Sequence, residues 1–301
     1  LPTNIVVATS GDTGSAAISA LNNRKNIKVF VLHPHNKISK MQRKIMTTIG
    51  SKNIYNIAIK GTFDDCQKIV KEMFADDIFR QTINMSGVNS INWARIMFQI
   101  VYYFYSFFKL KKNRINFSVP TGNFGDVYAG YMAKKMGLPI GKLIVATNEN
   151  DILQRTINKG EYKPRKVKAS LSPSMNIQVS SNFERLLFYA LNKDNVKVNQ
   201  LMNSLREKKY FKKNHKIIKK IKNDFLAFRV TDKQTKNMIK KIYSNYKFFI
   251  DPHTATGFHA IDQSKKINTS VVLGTAHPYK FLETIQSVTR KKIKKPSQLK
   301  K

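Results

Sequence analysis

The chain has 301 residues, 42% of them hydrophobic and 11% aromatic, enough to bury one large or two medium cores. Its 54 Lys and Arg outweigh 18 Asp and Glu, for a net charge of +36. The lysines are spread along nearly every segment, which reads as a solvated basic surface that attracts small anions rather than as a nucleic-acid stripe. The single cysteine, Cys66, excludes an intrachain disulfide and falls in a helical pattern, as a small core residue would. With no charged and apolar leader pattern in the first residues, a cytoplasmic location is expected.

The first 84 residues read as a small α/β domain. Strands are expected over 4–9, 27–32 and 53–59, with helices after the turn at 10–15, over 38–49 and over 62–74. Strands alternating with helices imply parallel sheets joined by right-handed crossovers. A larger α/β domain is expected over 85–301. Residues 91–110 form an apolar run of nearly membrane-spanning length, but Asn92, Arg95, Gln99 and Ser106 interrupt it, so a buried helix and no membrane contact are expected. A β-branched strand at 115–119 is stopped by Pro120, and a helix is expected over 127–136. Further elements are a strand near 143–147 and a helix over 149–158. Residues 164–247 are Lys- and Asn-rich, helical in pattern and without a clear strand, and read as a helical insertion. Strand character returns at 270–274, and 291–301 is a basic tail.

Two turns share one logic. Ser10-Gly11-Asp12-Thr13-Gly14 and Gly122-Asn123-Phe124-Gly125-Asp126 each follow a strand and open a helix, where backbone N–H groups converge on one point and suit a phosphate. In the second, Gly122 and Gly125 are expected to supply positive φ and close backbone approach. Two such turns suggest a ligand system with two phosphates. Neither fits the dinucleotide fingerprint or the P-loop, which disfavours simple nucleotide binding. Between them, in Asn89-Ser90-Ile91-Asn92-Trp93-Ala94-Arg95, Asn89 or Ser90 can cap the long helix, and Arg95 is either a solvent-facing arginine or a fork gripping an anion. The histidines at 33, 35, 253, 259 and 277 have no metal-ligand spacing, and no metal is expected.

The stretch 9–17, Asn89 to Arg95, 119–126, Ser172-Pro173-Ser174-Met175-Asn176-Ile177 with Ser181-Asn182-Phe183-Glu184-Arg185, Asp251-Pro252-His253-Thr254-Ala255-Thr256-Gly257, and 274–278 occur in family order. Together they resemble threonine synthases of the bacterial and fungal type. The resemblance implies the tryptophan-synthase-β-like α/β fold of pyridoxal-phosphate enzymes of fold type II. It implies pyridoxal 5'-phosphate as cofactor, and conversion of O-phospho-L-homoserine and water to L-threonine and phosphate. By the same resemblance, Gly122, Asn123, Phe124, Gly125 and Asp126 hold the cofactor phosphate, and Thr275 faces the pyridine nitrogen. Asp12 lies on the cofactor's O3′ side, Ser10 and Thr13 lie near the substrate, and Asn89, Ser90 and Arg95 hold the substrate phosphate. It gives the 251–257 motif no role.

In that family the Schiff-base lysine lies in a Pro-x-Leu-Ala-Phe-Lys-Asp type stretch upstream of the Ser-Gly-Asp-Thr-Gly loop, and residues 1–9 contain no lysine. The chain is therefore expected to be an N-terminally truncated threonine synthase, inactive in isolation and a monomer or homodimer. The alternatives are a serine or threonine dehydratase of the same fold type, or a non-catalytic basic fragment that binds polyanions.

Overall fold

In a computed structural model, residues 2–89, 92–212, 215–264, 267 and 269–297 are described. The chain divides into two compact units, residues 1–95 and 96–301.

The first unit runs β1 (Thr3–Ala8), α1 (Asp12–Leu21), β2 (Ile27–Pro34), α2 (Lys40–Thr47), β3 (Ile54–Ile59), α3 (Phe63–Ala75), α4 (Asp77–Thr82) and β4 (Met85–Gly87). Its strands form one sheet in the order β3-β2-β1-β4, with every pairing parallel. The central strand β1 reads Thr-Asn-Ile-Val-Val-Ala, and Ile5, Val6 and Val7 are all buried, as a strand covered on both faces requires. Capping boxes at Ser39/Gln42 and Thr62/Asp65 start α2 and α3. Cys66 is buried in α3, and burial pushes its thiol up to about 11, an inert core position. β4 pairs with β1 at Val6↔Gly87, so the strand at 85, from which the sequence pattern begins a second domain, completes the first sheet instead.

α5 (Trp93–Leu110) begins in this unit and runs into the next. It is not the buried helix its composition suggests. Ile96, Ile100 and Tyr103, spaced one face apart, are buried. The other side exposes Met97, Phe98, Val101, Tyr102, Tyr105 and Phe108 at 48–66%. Composition counts apolar residues, whereas only one stripe of a helix can meet one sheet. Among the described residues, no helix is long and apolar enough to cross a membrane.

The second unit continues through β5 (Ile115–Pro120), α6 (Gly125–Lys135), β6 (Ile140–Thr147), α7 (Ile152–Lys159), β7 (Glu161–Tyr162), α8 (Phe183–Ala190), α9 (Asn195–Lys208), β8 (Phe211–Lys212), α10 (His215–Lys222) and β9 (Phe225–Arg229). It ends with α11 (Asp232–Tyr246), α12 (Pro252–Ser264), β10 (Ser270–Val272) and α13 (Leu282–Thr289). The main sheet has the order β10-β5-β6-β9, again wholly parallel. β6 shows why it is covered on both faces: Leu143 and Val145 join one core, while Ile144 and Ala146 pack with Ala260 of α12 in another. The 164–247 region is not purely helical. β9 supplies an edge strand, since Phe225 to Arg229 form a short apolar run between lysine-rich helices that the helical pattern around them conceals.

Close backbone approach rests on small residues. A Cβ on Gly130 of α6 would lie 2.5 Å from the buried Tyr103 ring and 2.9 Å from Leu143. Helix propensity alone favours alanine there by about 1 kcal/mol. Gly130→Ala is nevertheless expected to destabilise the fold by about 1–3 kcal/mol in urea unfolding, because a packed aromatic ring has to move.

Candidate functional site

Each four-stranded sheet is parallel, so within each unit the strands end on one edge of their own sheet, the kind of edge where α/β folds build their sites. In the first unit β1 ends at Ala8 and leads into the first glycine turn. Gly11 has φ 124°, a conformation that favours glycine, and begins α1 without a side-chain cap. A Cβ there would strike Gln42 at 2.6 Å. The buried Thr9 hydroxyl takes over the cap's work, accepting from Gly11 N at 2.9 Å and Gly14 N at 2.8 Å. Ser10, Asp12 and Thr13 are half-buried around this turn.

Asn89 does not cap the long helix. Its amide clamps Ala8, accepting from Ala8 N at 3.0 Å and donating to Ala8 O at 2.7 Å, one residue before Thr9. The helix is capped by Asn92, whose Oδ1 accepts from Ala94 N at 3.0 Å. Arg95, half-buried one turn further on, donates from Nη1 to Val88 O at 3.2 Å, which seats the guanidinium beside the end of β4. Asn89 and Arg95 thus lie at the same sheet edge as the glycine turn. Ser90 lies outside the described residues.

In the second unit β5 ends at Pro120 and α6 opens at Gly125, two residues earlier than the helical pattern places it. The left-handed residue is Phe124, φ 65°, rather than Gly122 or Gly125. A non-glycine residue in that region is strained and must be held by its surroundings. Its ring is held edge-on to Phe183, with centroids 5.3 Å apart, and the residue is 1% exposed. Gly122 serves close approach instead: a Cβ would sit 2.8 Å from Ile177 Cδ1 and 3.0 Å from Ser174 O.

The loop's peptides are aimed from behind. The Gly122 carbonyl accepts from Ser180 Oγ at 2.9 Å, and the Asn123 carbonyl accepts from Asn182 N at 3.0 Å and Nδ2 at 3.2 Å. No peptide bond among the described residues is cis. In a trans peptide the N–H points opposite its carbonyl, so the Asn123 and Phe124 N–H groups face away from Ser180 and Asn182. α6 has no side-chain cap at Phe124, and first-turn N–H groups have no acceptor within their own helix. The buried Tyr103 hydroxyl is shared between the Asp126 carbonyl at 2.8 Å and the Asp126 carboxylate at 3.1 Å, which fixes the first turn of α6. Burial and that nearby carboxylate hold the Tyr103 hydroxyl well above the usual tyrosine range.

The loop pressed on Gly122 is fixed by buried amides after β6. Asn148 Nδ2 donates to Ser170 Oγ at 2.8 Å and Asn176 Oδ1 at 2.9 Å, and Asn150 Nδ2 donates to Lys168 O at 2.9 Å. Thr275 follows β10 with its side chain exposed, and its N–H donates to Thr254 Oγ1 at 3.3 Å. Thr9, Asn148, Asn150, Ser180 and Asn182 thus support the site although sequence reasoning gave none of them a role. The signal was available for Thr9 and Asn182, which sit inside or beside motifs already singled out. Asn148 and Asn150 look like ordinary loop residues until their burial is known.

A family model for pyridoxal-phosphate-dependent enzymes matches residues 2–274, and one for the C-terminal part of threonine synthase matches residues 254–301. The chain belongs to the pyridoxal-phosphate-dependent enzymes. This pyridoxal-phosphate-family chain is 46% identical over 286 residues to threonine synthase of Pseudomonas aeruginosa, covering 94% of the chain and 61% of the relative. It is also 46% identical to threonine synthase of Saccharomyces cerevisiae, covering 94% of the chain and 60% of that protein. The crystal structure of threonine synthase from Brucella melitensis with pyridoxal phosphate bound superposes with a TM-score of 0.89 at 45% identity, over 99% of the chain and 65% of that structure. The chain therefore spans about three fifths of the length of these sequence relatives. An aspartate racemase at 11% identity and TM-score 0.61 shares the fold alone.

Thr9→Val removes the acceptor shared by two buried N–H groups while keeping the shape of the side chain. It is expected to cost about 2–4 kcal/mol in urea unfolding, with Thr9→Ser within about 1 kcal/mol of the native chain.

Proposed function

We propose that the protein is a threonine synthase acting on O-phospho-L-homoserine with pyridoxal 5'-phosphate as cofactor. The observation that carries the cofactor half is the loop at the start of α6: Ser180 and Asn182 hold the Gly122 and Asn123 carbonyls, which turns the Asn123 and Phe124 N–H groups the other way, and the Phe124 side chain does not cap the helix that follows. An ester dianion suits backbone N–H groups at a helix start, where the helix dipole also favours negative charge. Thr275 is assigned to the cofactor's ring nitrogen. Its hydroxyl cannot keep a proton on that nitrogen as a carboxylate would.

The substrate half is assigned to the first unit. Arg95 supplies a guanidinium for the leaving phosphate, held in place by its bond to Val88 O, and Ser10 and Thr13 supply hydroxyls at the same edge. Asp12 opens α1 and is assigned to the cofactor's O3′ side. Asn89 acts indirectly, by clamping the exit of β1 so that the turn after it is held in register. When bound, the cofactor withdraws electrons from the amino acid's reacting carbons. The chain's own residues then orient the substrate, and Arg95 stabilises the charge that leaves with phosphate. We assign the protein to the cytoplasm and to small-molecule partners, as a monomer or homodimer.

Titration of the 301-residue chain with pyridoxal phosphate and then O-phospho-L-homoserine tests this. Binding of both, with Arg95→Ala weakening O-phospho-L-homoserine about tenfold or more and leaving the cofactor untouched, is expected. Tighter binding of L-serine or L-threonine than of O-phospho-L-homoserine overturns the reading in favour of a dehydratase.

A further inference from the structure

The Asp251-Pro252-His253-Thr254-Ala255-Thr256-Gly257 motif enters none of the steps above, yet it is among the most completely buried polar segments of the second unit. Asp251, His253 and Thr256 are 1%, 2% and 0% exposed. The Asp251 carboxylate holds both His253 and Thr254. Oδ1 accepts from His253 N at 2.9 Å, meets His253 Nδ1 at 2.9 Å and accepts a long bond from Thr254 N at 3.4 Å. Oδ2 accepts a short bond from the Thr254 hydroxyl.

Each neighbour passes the constraint on. His253 Nε2 lies 3.2 Å from Ser174 N, a backbone amide that can only donate. Nε2 is therefore the acceptor nitrogen, and Nδ1 carries the proton it donates to Asp251. Ser174 belongs to the loop against which Gly122 is packed, with Ser174 O 3.0 Å from where a Gly122 Cβ would be. The second neighbour, Thr254, has given its proton to Oδ2, so its Oγ1 lone pair is left to accept from Thr275 N at 3.3 Å. The motif itself is locked to the sheet, because the Gly257 carbonyl accepts from Ser118 Oγ at 2.8 Å and a Gly257 Cβ would lie 2.7 Å from Val272 Cγ1.

We infer that Asp251 is a positioning residue that sets two loops at once: through His253 the 172–177 loop behind the phosphate cradle, and through Thr254 the Thr275 turn at the end of β10. Its task is to keep the two contacts proposed for the cofactor, at the phosphate and at the ring nitrogen, at a constant separation. The functional meaning of this device rests on the cofactor reading given above; the branched geometry does not.

The test uses the 301-residue chain, with hydrogen exchange resolved to single amides and with titrations of pyridoxal phosphate and of inorganic phosphate. Thr254→Val is expected to speed exchange of the Thr275 amide about tenfold and leave Ser174 unchanged. His253→Phe is expected to do the reverse, and Asp251→Ala to speed both. Thr254→Val is expected to weaken pyridoxal phosphate about tenfold but not inorganic phosphate, His253→Phe to weaken both, and Thr254→Ser to restore native affinity. The single-arm variants keep the test decisive if Asp251→Ala fails to fold. Equal acceleration at both loops in either single-arm variant, or no change at the paired amide, overturns the inference. Failure of the native chain to take up pyridoxal phosphate overturns the cofactor reading instead, and the exchange pattern still judges the branching on its own.

Discussion

The second unit depends on which way two peptide planes face. Ser180 and Asn182 hold the Gly122 and Asn123 carbonyls, and planarity then dictates the direction of the following N–H groups. The positive φ of Phe124 is a costly backbone state that persists only where its surroundings hold it, and these three hydrogen bonds are part of that hold. With them, the strain is borne by a ring wedged against Phe183, and the helix starts without a side-chain cap from Phe124. Affinity for an anion at such a place comes from donors that are already aimed, so little ordering remains to be done on binding.

The first unit reaches a similar end by other means. There a buried threonine hydroxyl, not a distant loop, gathers the turn's N–H groups, and Gly11 provides the unusual backbone angle without strain. A side-chain amide from a neighbouring strand's exit, Asn89, extends the parallel ladder by one rung and so ties two strand ends together. Both solutions use the fact that parallel strands deliver all their exits to one side.

Much of this was legible before any coordinates. Alternation of β-branched runs with helical stripes announced parallel sheets, because the two periods are distinct and the turns between them carry glycine. The two glycine turns and Arg95 stood out by residue type and position, and the structure sets Arg95 at the edge where β1 and β4 end. What was hidden is instructive. Phe225 to Arg229 form an edge strand, but five residues flanked by lysine-rich helices give too short a signal to separate from their surroundings. The left-handed residue fell on Phe124 because tertiary packing overrode the usual glycine preference. Asn89 resembled a helix cap in spacing, yet its amide found backbone partners 81 residues away, a distance no local pattern encodes.

The outer face of α5 has one more consequence. Its aromatic and aliphatic band, running from Met97 to Phe108, lies on a molecule carrying a charge of +36. Like charge opposes the approach of two such surfaces, and salt weakens that opposition, since at about 1 M the screening length shrinks to roughly 3 Å. The same band that the sheet leaves uncovered is thus the part of the surface where charge and apolar area pull in opposite directions.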